Sequence, residues 1–358
     1  AWRGQAVESQ SILKNAYDVD NKGRIAPGVV RRIIYNLHKQ QVEEQHLALC
    51  GTLRNCSGGM TPWSSWISCE ESVVRKGQQG LSHSHGYCFE VPAQGDGLQA
   101  AVPLTAMGRF NHEAVAIDPD SGAVYLTEDR ADGLFYRFLP AVRGQLSAGG
   151  KLQALAITSL PQLTSTGNRG AAEFPLQTPQ VVKWVTMNGV DAPADDLRHR
   201  GRRQGAVQFV RGEGMVVEQD KHGRTARIWI MCTTGGKQGL GQVFYYEPSV
   251  YEGKPGEEEK PGRLTLFSEP NNPELLRNGD NLALMPNGDL LVCEDHQRLQ
   301  RLVGITASGE YYVLARNPRG ASEFTGATFS PDGSTLFVNL QQQGGTLAIS
   351  GPWHKRLY

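Results

Sequence analysis

No stretch of this 358-residue chain approaches the ~18 consecutive apolar residues that a membrane-spanning helix needs, so no membrane span is expected. Charge bias is absent as well. Lys+Arg and Asp+Glu stand at 36 each, which leaves no general attraction to nucleic acid or to an anionic membrane. The six cysteines (Cys50, Cys56, Cys69, Cys88, Cys232 and Cys293) form no C-x-x-C pair, which argues against a zinc ribbon or a thioredoxin-like motif. In a chain of this length their even number is no sign of disulfides, and it leaves the compartment open. No secretory leader is visible. Its absence carries no weight, because the chain opens at Ala1 without a methionine and in mid-pattern, as expected if a leader or a first structural unit stood upstream.

Turn formers are plentiful. The chain holds 42 glycines and 19 prolines among many short β-like runs. Residues 28–48 read equally as a helix or as two strands. Residues 140–206 have few periodic runs and contain LRHRGRRQG, and 249–262 is a charged Gly/Pro loop. The same strand pattern resumes after each, so a single domain over 1–358 is expected. That pattern is an imperfect repeat: HEAVAIDPDSGAVYLTED (112–129), GDNLALMPNGDLLVCED (279–295), EFTGATFSPDGSTLFVNL (323–340) and, more loosely, GEGMVVEQDKHGRTARIWIMCTT (212–234). Each copy is an apolar strand, a Pro/Asp/Asn/Gly turn and a second apolar strand, as in a tight hairpin. Radial repetition of such hairpins predicts an all-β fold, a β-propeller. Four to six blades can be counted, and the expectation is six, with the N-terminal end incomplete.

Acidic residues recur just before the first strand of the copies: Glu113, Glu213, Asp280 and, a few residues further upstream, Glu323. In a propeller the innermost strand of each blade lines the central channel. Carboxylates entering those strands converge on one axial face, where they repel and are costly to desolvate. A cluster of hard cations in the channel would offset that cost. The alternative is that each acid caps its own turn at the surface. Glu128-Asp129 and Glu294-Asp295 end the second strand of two copies and read either as further cluster members or as solvated strand ends.

The stretch NCSGGMTPWSSWISCEES (55–72) joins these repeats to a known pattern. Together with HGYCFEVP (85–92), GRFNHEAVAIDPDSGAVYLTEDR (108–130), FVRGEGMVV (209–217), GDNLALMPNGDLLVCED and EFTGATFSPDGSTLFVNLQ, it resembles the signature of the PhoX family of alkaline phosphatases, in the family's order. The resemblance implies a β-propeller that hydrolyses phosphate monoesters with Fe³⁺ and Ca²⁺. It implies an exported protein, periplasmic or extracellular, with a cytoplasmic one left open. It implies Cys69 as a thiolate ligand of iron with Glu70 beside it, Glu113 and Glu213 as bridging carboxylates, and Asp280, Glu323 and Asp129 as further metal ligands. Arg211 would hold the substrate phosphate, with Asn55 also at the substrate. The chain is short for this family, and residues 1–50 match nothing in the pattern.

Read singly, these residues allow blander roles. A thiolate favours a transition metal over calcium, yet a free cysteine is more commonly a small core residue. Cys56 reads as structural, and Cys50, Cys88, Cys232 and Cys293 as core. Arg211 can fork two hydrogen bonds to phosphate oxygens or pair with Glu213. Trp63 and Trp66 are assigned to packing. Gly58-Gly59 reads as a tight turn that brings Asn55 near the channel. His83 and His85 share one face of a strand rather than a metal, and His112 reads as a core histidine. Arg198, Arg200, Arg202 and Arg203 read as a solvated loop rather than an anion funnel.

The expected activity is phosphomonoester hydrolysis by a metal-held oxo or hydroxide species, with adjacent ions supplying nucleophile and charge neutralisation. Small-molecule phosphate esters are the expected partners, and a monomer the expected state. Two alternatives stand beside it: a calcium-dependent lactonase or ester hydrolase, which has no use for a thiolate, and a non-catalytic propeller stabilised by its ions.

Overall fold

The structure, a computed structural model, describes residues 10–95, 97–296, 299–318 and 322–355. A short helix α1 (Gln10–Asn15) precedes the hairpin β1 (Gly28–Asn36) and β2 (Gln41–Thr52), so residues 28–48 are two strands. Three strands make the first blade: β3 (Asn55–Met60), β4 (Ser65–Glu70) and β5 (Cys88–Pro92). The second blade is β6 (His112–Ile117), β7 (Val124–Glu128), β8 (Phe135–Pro140) and β9 (Gly150–Ile157). Then come β10 (Gln180–Thr186) and a helix, α2 (Leu197–Arg203), which is the arginine-rich segment read as loop. The third blade is β11 (Gly212–Gln219), β12 (Thr225–Cys232), β13 (Gln242–Glu247) and β14 (Arg263–Ser268). The fourth is β15 (Gly279–Leu284), β16 (Leu290–Glu294), β17 (Arg301–Ile305) and β18 (Tyr311–Arg316). The fifth is β19 (Phe324–Phe329), β20 (Thr335–Leu340) and β21 (Gly345–Ser350).

Every strand pair is antiparallel, and the blades follow one another radially as in a β-propeller. β10 lies at the outer rim. It pairs with β9 through Val182–Thr186 and with β14 through Gln180–Val181, so it welds the second and third blades into one nine-stranded sheet. That is what the aperiodic segment 140–206 builds.

The apolar core lies between blades, because alternate residues of each strand face opposite neighbours. Leu126 packs towards Ile67 and Cys88 of the first blade, while Tyr125 packs towards Ile228 and Phe244 of the third. Similar clusters join the third blade to the fourth and the fourth to the fifth. The β1–β2 hairpin occupies the remaining gap. Ala48 and Leu49 bury against Tyr87 and Phe89 of the first blade, and Tyr35 stacks edge-on against Phe337 of the fifth. Among the described residues there are thus five blades and a two-stranded N-terminal closure, where six blades with an incomplete N-terminal end were expected.

The inner strands β3, β6, β11, β15 and β19 wall a channel cavity of about 630 Å³. Glycine lets them crowd the axis. A Cβ on Gly59 would lie 1.9 Å from the Val115 carbonyl of β6, and one on Gly214 would lie 2.6 Å from the Leu282 nitrogen of β15. Gly58-Gly59 is therefore not a turn but strand backbone at a close approach.

Candidate metal centre

Each inner strand slips out of register with its neighbour in one place. The slip falls between Asn55 and Gly58 in β3, His112 and Val115 in β6, Gly212 and Met215 in β11, Gly279 and Leu282 in β15, and Thr325 and Thr328 in β19. A bulge of this kind sets two residues against one and re-aims a side chain. In four of the five strands the first residue set free is a metal-ligand type: Cys56, Glu113, Glu213 or Asp280. The backbone there is satisfied by side chains. Ala114 N–H donates to Thr127 Oγ1 (3.0 Å), whose hydroxyl donates to the Glu213 carbonyl (2.7 Å). Asn281 Oδ1 accepts from Thr325 Oγ1 and Gly326 N–H, both at 2.6 Å.

A second tier comes from the residue just past the second strand. Its N–H donates to the carbonyl of the residue before the inner strand, in Glu71 to Arg54, Asp129 to Asn111, Thr233 to Arg211, Asp295 to Asn278 and Gln341 to Glu323. In three of these blades the residue immediately before it is a buried acid held by structural bonds. Glu70 accepts Leu53 N–H (2.8 Å) and Gly86 N–H (2.8 Å), Glu128 accepts Tyr136 O–H (3.0 Å), and Glu294 pairs with Arg301.

The two tiers meet in three groups of donors, each group within 4.8 Å of one another: Cys56, Glu71 and Glu113; Glu113, Glu213 and Asp280; Asp280, Asp295 and Glu323. Glu113 and Asp280 are shared, so the groups form a continuous line. The donors fit cations. Oε1 of Glu113 and of Glu323 are buried without a hydrogen-bond partner. Burial and the facing Asp280 push Glu113 and Glu213 well above the usual carboxylate range. Burial raises Asp280 to about 6, and burial with Asp280 beside it raises Glu323 to about 9. The Cys56 thiol is driven up by burial and by Glu113. Cations set among these atoms would stabilise the ionised forms that the protein alone disfavours.

Of the site residues expected from sequence, the structure brings Glu113, Glu213, Asp280 and Glu323 together. It does not bring in Cys69, Glu70 or Asn55. Cys69 stands on β4 opposite the β3 bulge, where the second, third and fourth blades place Thr127, Met231 and Cys293, and it faces the core. Its sulfur meets Cys88 Sγ at 3.7 Å, and Cys88 in turn lies 3.3 Å from His112 Nδ1. The thiol among the donors is Cys56. Glu70 is committed to the backbone bonds above and to His85 Nδ1 (2.6 Å). Asn55 ties β3 to β4, donating to Ser68 Oγ (2.8 Å) and accepting from Thr52 Oγ1 (2.6 Å). Cys56 and Glu71 are the donors missing from the expected set, and Asp295, left open between cluster member and solvated strand end, joins it. Their signal was the repeat position, since Cys56 aligns with Glu113, Glu213 and Asp280.

Asp129 lies at the second-tier position but serves an arginine. Arg211 Nε and Nη2 donate to its two carboxylate oxygens (2.7 and 3.0 Å), and Nη2 also donates to Glu213 Oε1 (2.7 Å). Among the described residues Nη1 has no partner, and about a third of the side chain is exposed. The guanidinium is thus fixed against the acids with one edge open. Arg54, at the same repeat position in the first blade, pairs with Glu71 at 2.9 Å, and both arginines hold a left-handed φ near +50°. Among the described residues neither His83 nor His85 belongs to a donor group. His85 is buried between Asp18 and Glu70, and His112 is a core histidine, as expected.

Compared with known proteins, the chain matches solved structures across most of its length. Pseudomonas fluorescens PhoX in complex with vanadate superposes with a TM-score of 0.60 at 19% identity, over 93% of this chain and 71% of that one. A putative 6-phosphogluconolactonase from Bacteroides uniformis gives 0.45 at 10% identity, over 94% of this chain and 80% of that one. A periplasmic gluconolactonase of Pseudomonas aeruginosa gives 0.42 at 12% identity, over 86% and 70%. No curated protein matches. The description "Alkaline phosphatase PhoX" fits residues 32–344, nearly the whole described chain, and on that match the chain belongs to the PhoX family of alkaline phosphatases.

Proposed function

We propose that the chain is a metal-dependent phosphohydrolase acting on small phosphate monoesters, with Fe³⁺ and Ca²⁺ as its ions. The observation that supports it best is the open edge of Arg211 held beside a line of seven buried or half-buried donors. Cys56, Glu71 and Glu113 would hold the iron, because a thiolate suits a transition metal. Asp280, Asp295 and Glu323, all oxygen donors, would hold calcium. Bound there, such ions supply Lewis acidity, which neutralises phosphate charge and acidifies water.

The protein's own part is positioning. Asp129 and Glu213 grip Arg211 through three charge-assisted bonds, so its Nη1 edge is preorganised towards an incoming phosphate oxygen. The relative from P. fluorescens was solved with vanadate, described as a transition state analogue, and this chain shares its fold. An exported location and a monomeric state belong to the same reading. The lactonase alternative is disfavoured by the thiol of Cys56 among the donors. Elemental analysis with p-nitrophenyl phosphate hydrolysis, before and after chelation, tests the proposal. Iron and calcium with chelator-sensitive turnover are expected. Calcium alone with no turnover would overturn it.

A further inference from the structure

Of the six cysteines, Cys69 and Cys88 bring their sulfurs together, at 3.7 Å. They are directly opposed partners on the antiparallel strands β4 and β5. The kind of pair they form can be read from their neighbours. Glu70 N–H donates to the Tyr87 carbonyl at 3.0 Å, which makes Glu70 and Tyr87 a hydrogen-bonded pair. Pairs alternate along an antiparallel ladder, so Cys69 and Cys88 form a non-hydrogen-bonded pair, the type with Cα atoms about 4.5 Å apart and side chains closest. The Cys88 carbonyl accordingly turns outward and accepts Leu104 N–H at 2.8 Å. Disulfides span Cα separations of about 4.4–6.8 Å, so this pair falls within the range without moving backbone.

We propose that Cys69 and Cys88 are the two halves of a cross-strand disulfide that staples β4 to β5, next to the Glu71 that the first blade presents to the metal centre. Both sulfurs are fully buried in the cluster between the first and second blades. The bond therefore forms before that cluster closes, or when the sheet opens locally. The oxidant is a disulfide. One protein thiolate attacks it, forming a mixed disulfide and expelling one reagent thiolate. The second protein thiolate then attacks the protein sulfur of the mixed disulfide and expels the other. Two protons leave the protein thiols and end on the reagent thiols, and two electrons pass to the reagent. The link is independent of the phosphatase reading, since it rests on the sulfur separation and the sheet register.

The test uses the full chain, unfolded and refolded in a mixture of oxidised and reduced glutathione. Free thiols are then counted in denaturant, and non-reduced peptides are mapped by mass spectrometry. Four free thiols of the six, with the Cys69 and Cys88 peptides joined, are expected. The Cys88→Ser variant should keep its remaining thiols free, and Cys232→Ser should still form the link. Six free thiols in refolded protein, or a link through other cysteines, would overturn the proposal. Should the chain not refold, native protein held at the foot of its thermal transition in the same mixture gives the same readout.

Discussion

Exchanging Cys56 and Cys69 for serine, one at a time, separates the thiol that meets the acids from the thiol that meets the core. Cys56 is one of three donors in its group, with Glu71 and Glu113. Loss of a group that merely orients a ligand costs about 10–100-fold in metal affinity. Loss of a thiolate donor itself should therefore cost ~100-fold or more, about 3 kcal/mol. Cys56→Ser should retain the fold, since the side chain is only half-buried, but should lose iron while the all-oxygen group at Asp280, Asp295 and Glu323 keeps its calcium. Phosphatase turnover should fall with the iron. Cys69→Ser should keep metal and turnover but lose stability, because it places a hydroxyl in a fully buried site at a cost of about 1–3 kcal/mol. The assay is elemental analysis of both variants, with p-nitrophenyl phosphate kinetics and thermal denaturation on the same samples. Iron retained in Cys56→Ser and lost in Cys69→Ser would refute the assignment and restore Cys69 as the ligand.

Other perturbations read other parts of the structure. Asp129→Asn weakens two charge-assisted bonds to Arg211, so KM for a phosphate ester should rise roughly tenfold with metal content unchanged; loss of metal instead would make Asp129 a donor. Chelation should lower the melting temperature, because Glu113, Glu213 and Asp280 are left facing one another in the channel, and calcium should restore part of it. Burial lowers the His85 pKa, but Glu70 and Asp18 on either side outweigh it and the net shift is upward. Its contribution is thus complete below the ordinary histidine value of 6.5 and is lost as pH rises through the folded value, so wild-type melting temperature should fall more steeply above pH 6.5 than that of His85→Gln. Gly59→Ala puts a Cβ 1.9 Å from the Val115 carbonyl and should cost about 3 kcal/mol or more by denaturant unfolding.

Repetition made the blades legible. Each copy carried its apolar strands and its turn, and those copies are the inner two strands of blades two to five. Segments without a copy were opaque for a physical reason. β10 pairs for only two residues with β14 and five with β9, so it shows little alternation of its own. α2 is seven residues long and buries only Leu197, Arg198 and Gly201, too short a face to betray a helix. In the β1–β2 hairpin the register slips in three places and apolar residues come in adjacent pairs, Val29-Val30 and Ile33-Ile34, which hides the period of two that would separate a strand from a helix.

The donors were legible to the extent that the repeat was used as a coordinate. Glu113, Glu213 and Asp280 were found as residues entering a first strand, and that rule applied to the first blade selects Cys56. The family resemblance instead selects Cys69, which stands beside two glutamates. The bulge favours Cys56. It turns the residue after Asn55, His112, Gly212 or Gly279 out of the ladder towards the axis, whereas the residue opposite it on the second strand stays in the sheet and faces a neighbouring blade. Chemistry then varies freely at a fixed place, carboxylate in three blades and thiol in one. The fifth blade marks where the rule stops. Its slip begins after Thr325, and the donor there is Glu323, two residues earlier, at the position that Arg211 and Arg54 hold in their own blades. One repeat position can thus carry a candidate metal donor in one blade and a cation in another, and only the packed geometry tells which.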